Sequence, residues 1–343
     1  MVSCKKNNGD STTNNHTNPP VTVTDVYAAG YVGTSRPVAA YWKNGSLVKL
    51  SESSSGTATG IAVSGTDVYV VGYSYTAAGQ SVATYWKNGV RTYLADSTVN
   101  SAANAVAFSG NAIYISGYVY SPVSGLALAA YWKNGVVTIL GDATSATFSS
   151  AGRAIAIQGD DVYVAGNIIG PLGFTAVYWK NGTPTTVMGG KPEYYSQLFG
   201  INIYGNDIYL SGQIYGSIKA GEASKFISTY WKNGTPTTFT DQTALSEAVG
   251  VAVPGSDVFV IGELLTSNGT TMAGYWKNGA FTGIGDGIGN SSATTSVVSG
   301  SDLYIGGTSS TANYTYANYW KNGKVVQLAE SGSGVTSMAI VTK

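Results

Sequence analysis

The sequence predicts an all-β protein assembled from seven similar repeats. The pentapeptide Tyr-Trp-Lys-Asn-Gly occurs seven times and contains all 7 Trp of the chain. Successive tryptophans, from Trp42 to Trp320, are separated by 44, 46, 47, 52, 45 and 44 residues, a period typical of repeated structural units. With 45 Gly, 25 Tyr and only 10% charged residues, the composition suits short strands joined by tight turns.

One repeat divides into four predicted strands, A to D. In the second repeat, residues 59–65, 67–73 and 82–86 form three apolar, β-branched and aromatic runs. Asn88-Gly89 separates the third run from a fourth at residues 90–94, and Asn-Gly favours a type I′ hairpin because both residues tolerate positive φ. The first three runs lack a polar face, as expected of a sheet that is covered on both sides.

The two ends of the repeat region are complementary. Residues 23–31 match strand B without a preceding strand A, and residues 336–342 match strand A without a following strand B. We therefore expect the C-terminal strand to complete the first sheet and close a ring. The prediction is a seven-bladed β-propeller, residues 21–343, with four antiparallel strands in each blade.

The pentapeptide repeats resemble those of bacterial β-propeller repeat proteins found as Bacteroidetes-type surface lipoproteins. The resemblance implies an architecture and a presentation surface, without a reaction. Ser3-Cys4-Lys5 also resembles the end of a lipoprotein signal peptide, whose Cys becomes lipidated. Residues 1–20 are expected to be a disordered polar tether, anchored through Cys4 to the outer membrane of a bacterial envelope. The alternative is an ordinary cysteine in a cytosolic tail.

Composition limits the possible partners and cofactors. A formal net charge of zero argues against nucleic-acid binding, which needs a basic surface, and membrane contact is expected only through a lipid on Cys4. The single His is His16, in the tether, so His-dependent triads and Cys nucleophiles are not expected. No metal or cofactor is predicted, and the protein is expected to be monomeric.

Charged positions that recur in the repeat have structural interpretations. Strand B opens with Asp in six repeats and strand C closes with Lys in all seven, so we expect the two to pair within each blade. An acidic residue follows strand D in six repeats and is expected to cap the loop rather than bind a cation. The Tyr and Trp of strand C are interpreted as packing between blades.

Loops of variable length mark one face of the ring as the candidate binding surface. The longest spacing, 52 residues, contains two unusual loops at residues 189–198 and 215–226. Both belong to blade five, so their aromatic and charged side chains are expected to form one recognition patch. The candidate ligand-binding residues are Arg153, Lys191, Glu193, Tyr194, Tyr195, Phe199, Tyr215, Lys219 and Phe226.

Arg153 and Phe199 enter this set through a second pattern. The residue predicted to begin strand A, at the mouth of the central channel, varies from blade to blade. From blade one to blade seven it is Thr336, Thr59, Asn104, Arg153, Phe199, Val249 and Thr294. Arg153 is the only basic residue of this ring. The alternative is that Arg153 pairs with a local carboxylate and that the long loops merely cover the channel.

The leading functional hypothesis is a non-catalytic scaffold that holds a glycan or a protein on the loop face, centred on blade five. A carboxylate-based glycan-active enzyme is the alternative, since Glu193, Glu222 and Glu263 are all expected on or near that face. A purely structural envelope component is the third possibility.

Overall fold

The computed structural model describes residues 24–50, 55–142, 144–145, 147–188, 195–216, 225–239, 246–285, 289–328 and 331–343. These residues form seven four-stranded antiparallel sheets. No helix capable of crossing a bilayer occurs among them.

The strands of blades one to four follow the predicted order. Blade one contains β1 (Thr24–Val32), β2 (Val38–Lys43) and β3 (Ser46–Lys49). Blade two contains β4 (Gly56–Ser64), β5 (Asp67–Tyr75), β6 (Ser81–Lys87) and β7 (Val90–Tyr93). Blade three contains β8 (Ser101–Ser109), β9 (Ala112–Tyr120), β10 (Ala127–Lys133) and β11 (Val136–Ile139). Blade four contains β12 (Ser149–Gln158), β13 (Asp161–Gly170), β14 (Gly173–Lys180) and β15 (Thr183–Met188).

The remaining blades repeat this order and close the ring. Blade five contains β16 (Tyr195–Tyr204), β17 (Asp207–Gly216), β18 (Lys225–Lys232) and β19 (Thr235–Thr238). Blade six contains β20 (Ser246–Ala252), β21 (Phe259–Leu265), β22 (Thr271–Lys277) and β23 (Ala280–Gly283). Blade seven contains β24 (Asn290–Ser299), β25 (Asp302–Ser310), β26 (Thr315–Lys321) and β27 (Lys324–Gln327). The last strand, β28 (Ser333–Thr342), pairs with β1 as strand A of blade one, which confirms the predicted seven-bladed β-propeller and its closure.

The tryptophans pack between blades, as predicted. All 7 Trp of the chain are at most 5% exposed. Trp86 of blade two lies in one core cluster with Ala39 and Leu50 of blade one and Val70 of its own blade. Burying a side chain of this size contributes about 3 kcal/mol, so the strand C tryptophans hold neighbouring blades together.

The pentapeptide also forms the predicted turn and ion pair. Its seven Asn residues have φ between 48° and 51°, the left-handed conformation of a type I′ turn. In blade two, Asn88 Nδ2 donates to Asp67 Oδ1 at 2.8 Å and Lys87 Nζ lies 2.7 Å from Asp67 Oδ2. The same Asp–Lys pair recurs in blades one, four, five, six and seven at 2.7–3.7 Å, which confirms the prediction for all six repeats that have the Asp.

The acidic position after strand D caps its loop where the structure describes it. Asp96 Oδ1 accepts from the backbone N–H and the hydroxyl of Thr98, both at 2.9 Å, and Asp142 makes the same two bonds to Thr144. These two residues confirm the capping role. The other four members of the series lie outside the described residues: Glu52, Asp241, Asp286 and Glu330.

Every strand A carries a β-bulge at the same point of the repeat. In blade two the register with β5 shifts between Ala58 and Gly60, so that Thr59 is the extra residue, and all other blades shift at the equivalent place. A Cβ on Gly72 of strand B would lie 2.0 Å from the Thr57 carbonyl oxygen. The recurring strand B glycine therefore permits the close approach of strand A beside its bulge.

The bulge residues are the seven ring residues that the sequence placed at the start of strand A. That placement is wrong: strand A of blade two begins at Gly56, before Thr59, and the other blades are similarly extended. The preceding residues are small or polar and carry little β-propensity. They are extended because they pair with the far end of strand B.

Candidate active site

The residue after each strand B glycine defines a second set of equivalent positions, which we call the layer. In blades one to seven these residues are Tyr31, Tyr73, Tyr118, Asn167, Gln213, Glu263 and Thr308. The layer is therefore aromatic in blades one to three and polar in blades four to seven. Because these residues occupy one repeated position, the fold places their side chains at equivalent points of the blades.

Blade six places two glutamates opposite each other, one in the layer on strand B and one on strand A. Glu247 of β20 and Glu263 of β21 are directly paired in the antiparallel register, and they are the only two glutamates among the described residues. Directly opposed residues have Cβ atoms about 4.5–5.5 Å apart. The two residues are thus neighbours in the blade, and the charge of Glu263 acts on Glu247.

The surroundings of this pair favour its protonated forms. Both side chains are half-buried. Burial raises the pKa of Glu247, the charge of Glu263 raises it further, and Arg153 partly offsets both effects. Burial also raises the pKa of Glu263, whereas a hydrogen bond from Ser292 lowers it. Two like charges at this distance resist ionising together, so the pair retains a proton to higher pH than an exposed carboxylate.

A groove across blades four to six contains this pair. One part has a volume of about 210 Å³ and is lined by Glu247, Glu263, Leu264, Gln213 and Phe226. The adjoining part, of about 440 Å³, is lined by Phe174, Tyr195, Gln197, Gln213, Tyr215 and Phe226. Gln213 and Phe226 line both parts, so the two cavities are neighbours. The groove thus has a carboxylate end and an aromatic end.

The aromatic wall comes from three adjacent strands of blade five. Tyr195, Tyr215 and Phe226 are paired in register on β16, β17 and β18. The rings of Tyr195 and Tyr215 are 5.8 Å apart and stacked, and those of Tyr215 and Phe226 are 4.9 Å apart. The sequence assigned all three to loops. They lie in strands because aromatic residues fit paired, extended positions and support one another across the ladder.

Arg153 occupies the channel beside the groove. Its Nε donates to Asn167 Oδ1 at 3.1 Å, and its guanidinium carbon lies 5.3 Å from the Phe199 ring centre. Arg153 is exposed to solvent, while partial desolvation of its guanidinium by the surrounding protein lowers its pKa. Within the described part of the chain, no carboxylate lies within 4.0 Å of it. The alternative expectation, a salt bridge between Arg153 and a local carboxylate, is therefore not met among these residues.

The structure brings together some of the predicted site residues and separates others. Tyr195, Tyr215 and Phe226 meet in the groove, whereas Arg153 and Phe199 meet in the channel. Lys191, Glu193, Tyr194, Lys219, Glu222 and Cys4 lie outside the described residues. Sequence reasoning identified Glu263, and the segment 189–198 that it assigned to the patch included Gln197, but it missed Glu247 and Gln213. The residue after the strand B glycine, which changes from Tyr to Asn, Gln and Glu, was the available signal.

A second groove and the acidic side chains of the described chain lack the groups of an active or metal site. A groove of about 960 Å³ lies between blades one and two around Arg36, Tyr75 and Tyr93. Its described lining residues include no carboxylate, so it offers no acid–base pair. The described ranges also contain no group of three or more His, Cys, Asp or Glu side chains that could hold a metal ion.

No protein-family model and no curated protein sequence matches the chain. Among solved structures, it is similar to a prolyl endopeptidase, at a TM-score of 0.54 and 12% identity over 90% of this chain and 50% of that one. It is also similar to an acylaminoacyl peptidase of Pyrococcus horikoshii, at 0.52 and 12% over 90% and 51%. The β-propeller domain of a trilobed protease of Pyrococcus furiosus aligns at 0.47 and 10%, over 79% of this chain and 83% of that one. The chain thus spans about half the length of the two peptidases.

These comparisons contradict two expectations from the sequence, that the chain is a non-catalytic scaffold and that it is not an enzyme. The two peptidases named above, whose TM-scores exceed 0.5, are enzymes, so a regular propeller is no argument against catalysis. The sequence-based reasoning relied on the absence of His and Cys and on unplaced glutamates, and it overlooked a carboxylate pair within strands. At 12% identity the likeness itself shows the β-propeller fold and no particular reaction.

Proposed function

We propose that the protein is a glycan-active hydrolase that uses Glu247 and Glu263 as its catalytic carboxylates. The observation that carries the proposal is their direct opposition in blade six, half-buried at one end of a groove. A pair of close carboxyl groups whose environments separate their pKa values is the arrangement with which most glycosidases cleave their substrates.

The environments of the two glutamates suggest different roles. Burial raises the pKa of Glu263, but the hydrogen bond from Ser292 favours its ionised form, which suits Glu263 to be the ionised carboxylate of the pair. Its negative charge then helps to keep the proton on Glu247. We assign Glu263 as nucleophile and Glu247 as general acid.

The reaction follows from these roles. Glu263 attacks the anomeric carbon while the glycosidic C–O bond breaks and the Glu247 proton passes to the leaving oxygen. Glu247, now ionised, removes a proton from water, which displaces Glu263 from the glycosyl ester and restores both groups. Directly paired residues of adjacent strands can bring their carboxyl groups to the separation found in retaining enzymes, about 5–5.5 Å, so we propose a retaining reaction.

The other end of the groove supplies a surface for the sugar chain. Tyr195, Tyr215 and Phe226 expose ring surface to the cavity, while Gln197 and Gln213 offer amide donors and acceptors. Aromatic rings pack against the C–H faces of sugars, and amides bond to hydroxyl groups. The groove therefore suits a glycan that extends from blade five to the glutamates of blade six.

Hydrolysis of a polysaccharide panel tests the proposal. Release of reducing ends by the wild type is expected, and Glu263→Gln should lower kcat at least about a thousandfold. Glu247→Gln should lower it most for substrates with poor leaving groups. Asp160→Asn is the matched control, because Asp160 is exposed in the turn between β12 and β13. Equal activity of Glu263→Gln and the control would rule out the assignment.

The anomeric form of the first product provides an independent check of the mechanism. NMR of early hydrolysis should show the configuration of the substrate retained. Inversion would contradict the assignment of Glu263 as nucleophile, since inverting enzymes need room for a water molecule between the carboxyl groups.

We also propose that the chain is anchored to a bacterial envelope through Cys4, as in the surface lipoproteins that its repeats resemble. The support is the Ser3-Cys4 sequence and the polar segment after it. A fatty-acid analogue supplied to cells should label the full-length precursor and leave a Cys4→Ala form unlabelled. Equal labelling of both forms would exclude this anchor.

A further inference from the structure

Arg153 differs from the six strand C lysines that are paired with aspartate. The lysines that end strand C in six blades each have an aspartate partner within 3.7 Å. Arg153 is exposed to solvent, and no described carboxylate lies within ion-pairing distance of it. Glu247, one of the proposed catalytic groups, attracts it electrostatically from farther away. An exposed guanidinium that is not ion-paired within the protein is available to bind an anionic group from outside.

The contacts of Arg153 orient the guanidinium without neutralising it. The bond from Nε to Asn167 Oδ1 uses one donor, and the Phe199 ring faces the guanidinium plane. The two terminal nitrogens have no acceptor within the residues that the structure describes. Two parallel N–H groups held in a plane are the geometry that binds a carboxylate with two hydrogen bonds.

Asn167 gives a second indication that the position is adapted to a ligand. Its side chain is completely buried, at 0% exposure, and its Nδ2 has no partner among the described residues. Blades one to three have tyrosines at the equivalent layer position. An amide in this place is poorly satisfied by the protein itself, which is uncommon for a buried polar group. We interpret Asn167 as a positioning residue for Arg153.

Resting on the proposed function, we infer that the substrate is an acidic glycan and that Arg153 binds the carboxylate of a uronic acid unit next to the cleaved bond. The guanidinium would then compensate the negative charge that the sugar brings toward Glu247 and Glu263. A neutral sugar would leave the two terminal N–H groups of Arg153 without a carboxylate partner, so the site should discriminate against it.

Matched pairs of polymers test this inference. Polygalacturonate, alginate and hyaluronan are each compared with the same polymer after reduction of its carboxyl groups to alcohols. Binding is measured by calorimetry on the Glu263→Gln variant, which keeps the groove but should not cleave. At least one native polymer is expected to bind about tenfold or more tightly than its reduced form, since a charge-assisted bidentate contact is lost.

Variants of Arg153 show whether that preference depends on the proposed contact. Arg153→Gln should abolish it, and Arg153→Lys should restore part of it, because lysine keeps the charge but not the fork. Asn167→Ala should weaken the preference without removing it. Arg36→Gln, an arginine substitution in the loop between β1 and β2, should have no effect.

The outcomes separate this inference from the proposed hydrolysis. Equal binding of native and reduced polymers, binding of neither, or a preference unchanged in Arg153→Gln would overturn the carboxylate contact. If wild type cleaves native and reduced polymers equally well, the hydrolase proposal stands and the acidic substrate does not. If acidic polymers bind selectively through Arg153 but none is cleaved, the hydrolase proposal fails and the recognition remains.

Discussion

The bulge residues divide the propeller into two arcs that differ in how neighbouring blades are joined. In blades seven, one, two and three, the stitched arc, each bulge side chain donates to a carbonyl oxygen of the next strand A. The distances are 2.7–2.8 Å, from Thr294 to Val335, Thr336 to Ala58, Thr59 to Ala103 and Asn104 to Gly152. In blades four, five and six, the open arc, the equivalent residues are Arg153, Phe199 and Val249.

The layer changes at nearly the same boundaries, although blade seven of the stitched arc has the polar Thr308. Tyrosines fill it in blades one to three, whereas Asn167, Gln213 and Glu263 occupy it in the open arc. The stitched arc uses its bulge residues to join blades, whereas Gln213 and Glu263 of the open arc line cavities. The difference shows that one repeated unit can either join blades or line a cavity when two positions change, while the outer strands stay the same.

Truncation of the blade core should affect both arcs equally. Trp86 in the stitched arc and Trp231 in the open arc are both 0% exposed. Trp86→Ala and Trp231→Ala should each lower the free energy of unfolding by about 3–5 kcal/mol, measured by denaturant titration. A much smaller cost in the open arc would mean that the arcs also differ in their cores.

Removal of one hydrogen bond between a bulge side chain and the next strand A should lower stability by less, and only in the stitched arc. Thr59→Val keeps the side-chain shape but removes bonds to the carbonyl oxygens of Val71 and Ala103, so it should destabilise the fold by about 1–3 kcal/mol. Val249→Thr, the reciprocal change in the open arc, removes no hydrogen bond and serves as the control. If Thr59→Val and Val249→Thr had equal effects on Tm, the stitching would contribute nothing.

The glutamate pair should make stability fall as the pH rises. The Asp–Lys pairs at the rim of the blades should instead make stability fall as the pH falls. Both glutamates have raised pKa values in the folded protein, so the folded state holds more protons and stability falls as the pH rises through those values. The Glu247→Gln/Glu263→Gln variant should therefore have a higher Tm than wild type at pH 7, with the gap closing below the pKa of an unfolded glutamate. A constant gap across the pH range would contradict the raised pKa values.

The smallest effect is expected at the rim. Lys87 and Asn88 hold the pKa of Asp67 below its usual range, so its contribution is present above the unfolded value and is lost as the pH falls. The Asp67 side chain is 35% exposed, and Asp67→Asn should change Tm at pH 7 by less than about 2 °C. Asp207→Asn, its counterpart in the open arc, should behave alike. A larger loss in either would show that the rim pairs contribute more than exposed ion pairs normally do.

Most of the fold could be predicted because it depends on short-range chemistry repeated seven times. Asn-Gly turns specify the C–D hairpins through positive φ, and the unmatched strands at the two ends imply closure. The site was predicted only in part. Tyr215 and Phe226 were recognised by their aromatic composition, but Glu247 was not, because one glutamate in strand A has no local pattern that names its partner.

The sequence by itself determined the number of blades, the turns, the ion pairs of the rim and the buried tryptophans. Only the tertiary structure decided which side chains meet at the site. The bulge at Val249 sets the register between β20 and β21, and a slip of one residue would place Glu247 opposite a different neighbour and turn its side chain to the other face. Arg153, Phe199 and Glu247 come from three blades, so their proximity depends on how the blades pack around the channel.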